Sequence, residues 1–240
     1  MASFLARATA AGQALPARAS AILTFWFGQD PHWPASPSTT EVVARTAYLA
    51  SLPHQMKLWF AGGKEVDEQI RSEFAGDLAK LDDDNKAYDS WVACENPRAS
   101  LALILLTDQF TRNIFRGSAK CFSYDSLALN TTLQLLDDGR MRELRPVERM
   151  FALMPLEHSE DLAHHERMAA ELQQMKEEAE SYGDEGQGAV KLIDAAYGYL
   201  QSHTKVLEQF GRYPHRNKAL GRETTAEEAK YLETAETWGQ

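Results

Sequence analysis

The residue types best suited to chemistry lie in the second half of a stretch that spans residues 101–117. Its first six residues are apolar, whereas the second half is rich in polar and charged side chains. Residues four apart share one face of a helix, so Asp108 meets Arg112, and Arg112 meets Arg116. Two arginines on one face repel each other unless a carboxylate or an anionic ligand lies between them. We therefore predict a ligand-binding tip formed by Asp108, Gln109, Arg112, Asn113 and Arg116.

A second cluster of ionisable residues lies between positions 158 and 166. On a continuous helix, His158, Asp161 and His165 would share one face, and these are residue types that bind metals. The alternative is an acidic first turn that complements a helix dipole. Because no HExxH-like signature is present, we predict no metal. We expect catalytic roles for His158 and Asp161, and ligand binding by Glu160.

The third cluster is a single turn, residues 210–217, which contains a proline and a glycine. Two arginines and a histidine so close together suit a carboxylate or a phosphate. We predict that Arg212, Arg216 and Asn217 bind the ligand and that His215 is catalytic. The alternative is structural, because the same arginines could pair with Glu160 and Asp161 in a polar network that locks helices together.

Arg112 and Arg216 are expected to differ in role. Arg112 has Asp108 one helical turn away, whereas no acid lies near Arg216 in the sequence before Glu223. An uncompensated cationic turn is where an anion should bind. We therefore predict that Arg216 serves the ligand and Arg112 the fold. We also expect the three clusters to meet in space, since isolated charges near apolar neighbours are costly.

The elements that must position these clusters are helices. Val66, Ile70, Phe74 and Leu78 recur at steps of four, as on the buried face of a helix. Prolines make residues 30–40 a loop, and helical patterns resume from residue 41. In the segment 125–136 the predicted core face is Leu127, Leu129, Leu133 and Leu136, and Pro155 should bend or break the helix that contains it. Residues 225–228 form a capping box. We predict an all-α fold of antiparallel helix pairs joined by short turns.

The composition narrows the classes of partner. Thirty-five acidic and 25 basic residues give a net charge of -10, which repels nucleic acid and anionic lipid. The longest apolar runs fall far short of the roughly 20 residues that a membrane helix needs. Two cysteines without metal-type spacing indicate neither a zinc cluster nor a disulfide framework. We expect no nucleic-acid partner, no membrane, no metal and no cofactor.

Residues 1–20 contain two arginines, several alanines and serines, and no acid. This composition is typical of a mitochondrial transit peptide. The alternative is an alanine-rich extension of a cytoplasmic protein, and this is the location that we expect. We predict an N-terminal extension over residues 1–20 and one all-helical domain over residues 21–240.

The polar clusters also carry a family resemblance. Together with residues 25–28 (FWFG), the segments 105–117, 156–162 and 210–217, with 220–222 after them, resemble the DUF924 family of uncharacterised proteins. The motifs follow the family's order and cover nearly the whole chain from about residue 21 to 232. The resemblance implies an all-α, tetratricopeptide-like architecture, and it implies that the clusters belong to the family's common core. It implies no particular reaction.

Two functions remain open at this point. In the first, the chain binds an anionic small molecule in an internal pocket lined by Arg, His and Asp. If this protein is an enzyme, the histidines are its candidate acid and base. In the second, it is a tetratricopeptide-like module that binds a peptide in a concave groove, and the polar clusters are structural.

Overall fold

A computed structural model describes residues 14–28 and 53–235, and every regular element within these ranges is helical. The prediction of an all-α fold is confirmed. The helices are α1 (Ala17–Phe27), α2 (Pro53–Met56), α3 (Lys64–Asp83), α4 (Asp89–Val92), α5 (Pro97–Ile104), α6 (Thr111–Ile114), α7 (Asp125–Asp137), α8 (Pro146–His158), α9 (Leu162–Glu180), α10 (Gln187–Phe210), α11 (Asn217–Leu220) and α12 (Ala226–Leu232). No helix in this part of the chain is long and apolar enough to cross a membrane.

The central helix, which we define as residues 97–114, comprises α5, a π-helical segment (Leu105–Phe110) and α6. Its start follows from capping, because Asn96 accepts a hydrogen bond from the Arg98 backbone N–H at 3.1 Å and proline occupies the first turn. The π-helical segment widens the backbone and leaves carbonyl groups for side chains. The Thr111 hydroxyl accordingly contacts both Thr107 O and Asp108 O.

Two pairs of neighbouring helices are antiparallel. Along α3 and the central helix, Asp67 binds Arg116 and Phe74 contacts Phe110, so the chain positions rise in one helix as they fall in the other. The same holds for α9 and α10, where Lys176 binds Asp194 and His165 binds Thr204. The tetratricopeptide-like arrangement stays a prediction.

An aromatic core holds the central helix in place. The ring of Trp26 in α1 lies 5.5 Å from Phe110 and 5.4 Å from Phe151 of α8. Trp59 packs at 5.1 Å from Phe151, and its indole N–H donates to Trp26 O at 2.9 Å. Each buried aromatic side chain contributes about 1.5–3 kcal/mol, so this contact region keeps α1, α8 and the central helix in a fixed relation.

Two expectations about helices need correction in part. Pro155 does not break α8, which continues to His158. The four predicted leucines of α7 pack against the core but are only partly buried, and the fully buried face of α7 carries Ala128, Thr131, Thr132 and Leu135. The reason is close packing against α8: the Thr132 hydroxyl donates to Ala152 O at 2.8 Å, which suits a face of small residues. The predicted loop at 30–40, the helical pattern at 41–52 and most of the N-terminal extension lie outside the described residues.

Candidate functional site

Asp108 is the centre of the site. It lies in the π-helical segment and is fully buried. One carboxylate oxygen, Oδ1, lies 2.8 Å from His158 Nδ1 and 3.1 Å from Arg112 Nη1. The other accepts a hydrogen bond from the Gln109 amide at 2.7 Å. Burial alone raises the pKa of Asp108, but Arg112 and His158 outweigh it, and the pKa lies below its ordinary range. Asp108 is therefore an ionised carboxylate inside the protein.

His158 is the last residue of α8, and Asp108 determines its tautomer. A carboxylate only accepts hydrogen bonds, so the His158 proton is on Nδ1. Among the described residues no group bonds to Nε2. Burial and the nearby Arg112 guanidinium lower the pKa of His158. The result is a neutral imidazole oriented by a carboxylate, with a free lone pair on Nε2, which is the arrangement of a general base.

Arg112 binds two internal carboxylates, while its Nε is buried without a hydrogen-bond partner. Its Nη1 donates to Asp108 O at 2.7 Å, and its two terminal nitrogens bind Asp125 at 3.1 and 3.2 Å. Burial lowers the pKa of Arg112, but Asp108 and Asp125 more than offset this effect and raise it. The predicted Asp108–Arg112 pair is present, and Asp125 at the start of α7 is a second partner that the sequence analysis missed.

Arg216, which was predicted to lie in a cationic turn without a nearby acid, is buried. Its guanidinium lies between two rings, with Cζ 4.8 Å from the Phe122 centroid and 4.5 Å from the Tyr213 centroid. Nη1 donates to His158 O at 3.0 Å, and the nearest carboxylate, Asp125, is 3.8 Å away. Nε is buried without a hydrogen-bond partner. Burial and then Arg112 lower the pKa of Arg216.

Glu157 is a buried acid that the sequence analysis missed. Its side chain is 7% exposed, and Oε1 lies 3.6 Å from Nδ1 of His203. Burial, followed by the charge of Asp108, raises the pKa of Glu157 to about 8. The signal available in the sequence was its position beside His158 in a segment of apolar residues, where a lone glutamate is expected to be costly.

The structure brings together Asp108, Arg112, His158 and Arg216, one or two from each polar cluster. Two predicted ligand residues of the first cluster lie elsewhere. Asn113 and Arg116 both bind Asp67 of α3, at 2.8 and 2.9 Å. They tie the end of the central helix to α3 rather than contact the other clusters.

Residues of the second cluster separate because α8 ends at His158 and Ser159 is extended. Asp161 is exposed and caps α9, accepting a hydrogen bond from the Ala163 N–H at 2.9 Å. Glu160 binds Arg222 at 2.7 Å. His165 faces Thr204. The shared face that a metal would need is therefore absent, and residues 14–28 and 53–235 contain no group of three potential metal-binding side chains.

In the third cluster, most of the polar residues face α12 instead. Arg212 and Asn217 bind Glu228, the former at 2.6 Å and the latter at 3.2 Å. The acid that pairs with Arg212 is thus Glu228 of the Thr225–Glu228 capping box, and not Glu160 or Asp161, which the structural alternative named as examples. His215 is half-buried, with its ring 5.5 Å from that of Tyr213.

Comparisons with known proteins agree with the motifs. A family model described as "Bacterial protein of unknown function (DUF924)" matches residues 22–236. A solved structure of a protein of unknown function from Agrobacterium tumefaciens, ATU0120, is similar with a TM-score of 0.61 and 29% sequence identity. The match covers 82% of this chain and 99% of that chain. A search of curated proteins finds no match.

Proposed function

The chain belongs to the DUF924 family, and we propose that it binds a small anionic molecule, a carboxylate or a phosphate, at Arg216 and His158. The observation that carries the proposal is the state of Arg216. This guanidinium is buried beside His158, and its charge is poorly compensated. An oxyanion would supply the negative charge that the described residues do not provide at Arg216.

The poor compensation of Arg216 is best seen by comparison. Carboxylates raise the pKa of Arg112, Arg116 and Arg212 above its usual value. In Arg216 the pKa moves the other way, because burial and the Arg112 charge outweigh an Asp125 carboxylate 3.8 Å away. A buried cation in this position costs free energy. An anion at Arg216 would recover part of that cost.

An unpartnered Nε alone would be weak support. Arg112, Arg149 and Arg222 also bury an Nε without a partner. Each of these three arginines, however, has a close carboxylate: Asp108 and Asp125 lie 3.1 Å from Arg112, and Glu178 and Glu160 lie 2.7 Å from Arg149 and Arg222. Arg216 differs because the orphaned donor and the incomplete charge compensation occur in the same side chain. That combination favours a ligand role for Arg216.

His158 gives the site a group that can do chemistry. Its Nε2 lone pair is free, and Asp108 would stabilise the imidazolium that forms when a proton arrives. The neighbouring π-helical segment supports this role, since such segments occur frequently at functional sites. We propose that, if the chain is an enzyme, His158 is its general base. Roles for His215 and Asp161 as catalytic residues have less support, because neither contacts Asp108.

The alternative function, an interaction module with structural polar motifs, is favoured by the other arginines. Arg116, Arg212 and Arg222 each form an ion pair with a carboxylate on another segment of the chain. Such pairs are expected if the arginines hold the helices together. The alternative gains if Arg216 proves to be such a lock as well.

Thermal melts with sulfate and acetate test the proposal, with chloride at equal ionic strength as the reference. Hydrogen bonds to a charged group contribute about 1.5–3 kcal/mol each, so affinities near the millimolar range are expected. A probe at 100 times its Kd would stabilise by roughly 2.7 kcal/mol, or about 5–10 °C for a chain of this size.

Variants separate specific binding from the general stabilising effect of sulfate. Arg216→Lys keeps the charge but loses the fork of donors, and we expect most of the stabilisation by both probes to disappear. Arg216→Met should abolish it. Lys218→Met removes one exposed positive charge two residues away and should retain the full effect. Equal stabilisation of all four proteins would refute the proposal and favour the interaction module.

A further inference from the structure

One edge of the Arg216 guanidinium group carries two hydrogen-bond donors that the chain itself does not use. On the other side, Nη1 donates to His158 O at 3.0 Å and lies 3.8 Å from Asp125. Nε is buried without a hydrogen-bond partner, and Nη2 makes no hydrogen bond with any of the described residues. Because Nε–H and one N–H of Nη2 point the same way from the planar group, they form a fork of paired donors.

Two other arginines of this chain show what such an edge binds. Arg116 donates from Nε and Nη2 to the two carboxylate oxygens of Asp67, at 3.0 and 2.9 Å. Arg212 binds Glu228 in the same manner, at 2.6 and 2.8 Å. In both cases one planar carboxylate satisfies both donors and supplies one negative charge. Arg216 offers the same pair of donors.

Three further arginines with a buried, unpartnered Nε differ from Arg216. In Arg112 and Arg222, Nη2 already donates to a carboxylate. Arg149 binds Glu178 through Nη1 at 2.7 Å, and this contact compensates its charge. Among these four arginines, Arg216 is the one in which two donors on one edge coincide with incomplete charge compensation.

The charge that Arg216 lacks amounts to one negative charge at most. The guanidinium group carries a single positive charge, and Asp125 at 3.8 Å offsets part of it. A dianion such as sulfate would bring a second negative charge into the neighbourhood of the Asp125 carboxylate. Uncompensated charge in a buried site is costly. The electrostatics therefore favour a carboxylate, with one charge, over a sulfate or phosphate dianion.

We infer that the ligand of this site is an organic acid whose carboxylate accepts hydrogen bonds from Nε and Nη2 of Arg216, in the side-on arrangement that Arg116 and Arg212 already show. This inference rests on the function proposed above. It deepens that function by selecting the carboxylate from the two classes of anion named there, and by assigning the edge of Arg216 that binds it.

NMR titrations at pH 7 test the assignment with three probes, at constant ionic strength with chloride as the balancing anion. Acetate is a planar monoanion, methanesulfonate a tetrahedral monoanion that spreads its charge over three oxygens, and sulfate a tetrahedral dianion. We expect the Kd of acetate to be about tenfold lower than that of either other probe, the ratio that one charge-assisted hydrogen bond provides. A ratio below about threefold for either probe would overturn the assignment.

Two variants locate the group that selects the carboxylate. Arg216→Lys keeps the positive charge but loses the rigid fork of donors, so the three probes should bind with similar and weaker affinities. Arg149→Lys is the matched control, because it changes another buried arginine with an unpartnered Nε, and it should keep the wild-type order of affinities. If Arg216→Lys retains the full preference for acetate, another group selects the carboxylate and the inference is wrong.

The Nε–H proton of Arg216 gives a readout in the wild-type protein that does not depend on the folding of a variant. Saturation with acetate should move this resonance downfield, towards the Nε–H resonances of Arg116 and Arg212, whose Nε donors already bind carboxylates. If acetate saturates the protein without moving the Nε–H resonance of Arg216, the side-on contact does not form and the inference is overturned.

The two proposals fail in different ways. If sulfate or methanesulfonate binds at Arg216 as tightly as acetate does, anion binding stands and the carboxylate assignment is wrong. If none of the three probes binds at Arg216, the proposed function is wrong, and the carboxylate assignment falls with it.

Discussion

Arg112→Met removes the guanidinium that neutralises Asp108 and Asp125, and it leaves a side chain of similar length. Asp108 is fully buried and loses a cation 3.1 Å away. His158 and Gln109 remain as hydrogen-bond donors, but neither carries a formal charge at neutral pH. Removing one partner of a buried ion pair costs roughly 3–5 kcal/mol. We expect a loss of stability of that size.

A matched control comes from an exposed ion pair. Lys120 binds Asp82 at 2.6 Å, with side chains 43% and 45% exposed. Exposed pairs contribute about 0–1 kcal/mol despite short distances. Lys120→Met should therefore cost little, although it also removes one cation; it breaks one ion pair, whereas Arg112→Met breaks two. An excess cost of Arg112→Met well above the roughly 0–1 kcal/mol of a second exposed pair would reflect burial.

Urea unfolding of both variants, followed by tryptophan fluorescence and by far-ultraviolet circular dichroism, measures the two costs. Coincident transitions from the two probes justify a single free energy of unfolding. Exposed ion pairs contribute up to about 1 kcal/mol. If the free energies of unfolding of Arg112→Met and Lys120→Met differ by no more than that, the buried ion pairs of Arg112 do not contribute as expected.

The pH dependence of the same comparison provides a further check. The pKa of Asp108 is lower in the folded than in the unfolded protein. Its contribution to the free energy of unfolding is therefore complete above about pH 4 and is lost as the pH falls further. The difference between Arg112→Met and wild type should therefore narrow at low pH. A difference that stays constant from pH 7 to 3 would contradict an ionised Asp108.

The remaining expectations concern groups around the same site. Tyr213→Phe removes the hydroxyl that donates to Glu157 O and should cost about 1–3 kcal/mol in urea unfolding; no measurable cost would contradict that bond. Burial lowers the pKa values of His158, His165 and His203, so stability should be complete above about pH 6.5 and fall below it, by up to 1.4 kcal/mol per pH unit for each histidine. Melts between pH 7.5 and 5 check this slope. Because the folded pKa of Glu157 is raised to about 8, its contribution to stability is lost as the pH rises from about 4.5 to 8. Glu157→Gln should thus gain stability relative to wild type across that window, and a constant difference would count against a protonated Glu157.

Local signals in the sequence predicted much of the helical framework. The capping box at 225–228 follows from residue types at fixed spacing, and the structure contains it. The Asp108–Arg112 pair follows from the four-residue spacing on one helix face. Such features depend only on neighbours along the chain, so the sequence suffices to find them.

Long-range partners could not be predicted. Asp125 binds Arg112 from 13 positions away and approaches Arg216 from 91 positions away. Nothing in the residue types at those positions specifies this pairing, because it depends on how α7 packs. The same limitation explains why the sequence indicated no acid near Arg216, whereas Asp125 lies 3.8 Å from it and the rings of Phe122 and Tyr213 contact it.

The breaks and distortions of helices were equally hard to foresee. Asp161 was assigned to catalysis with His158 on a shared helix face. The chain instead leaves the helix at Ser159, and Asp161 caps the next one. The π-helical segment around Asp108 also has no periodic signature in an apolar run that is buried on every side. Both features determine where side chains of the site point.

The most direct test of the account is an NMR titration of the arginine side chains with sulfate at pH 7. The Nε–H resonance of Arg216, assigned through its loss in Arg216→Lys, should shift in a saturable manner, together with the Nε2 resonance of His158. The Nε–H resonance of Arg212, which binds Glu228, should stay unchanged. A saturable shift confined to Arg212 or to other arginines, or no shift at Arg216 at any concentration, would contradict the claim that Arg216 and His158 bind an oxyanion.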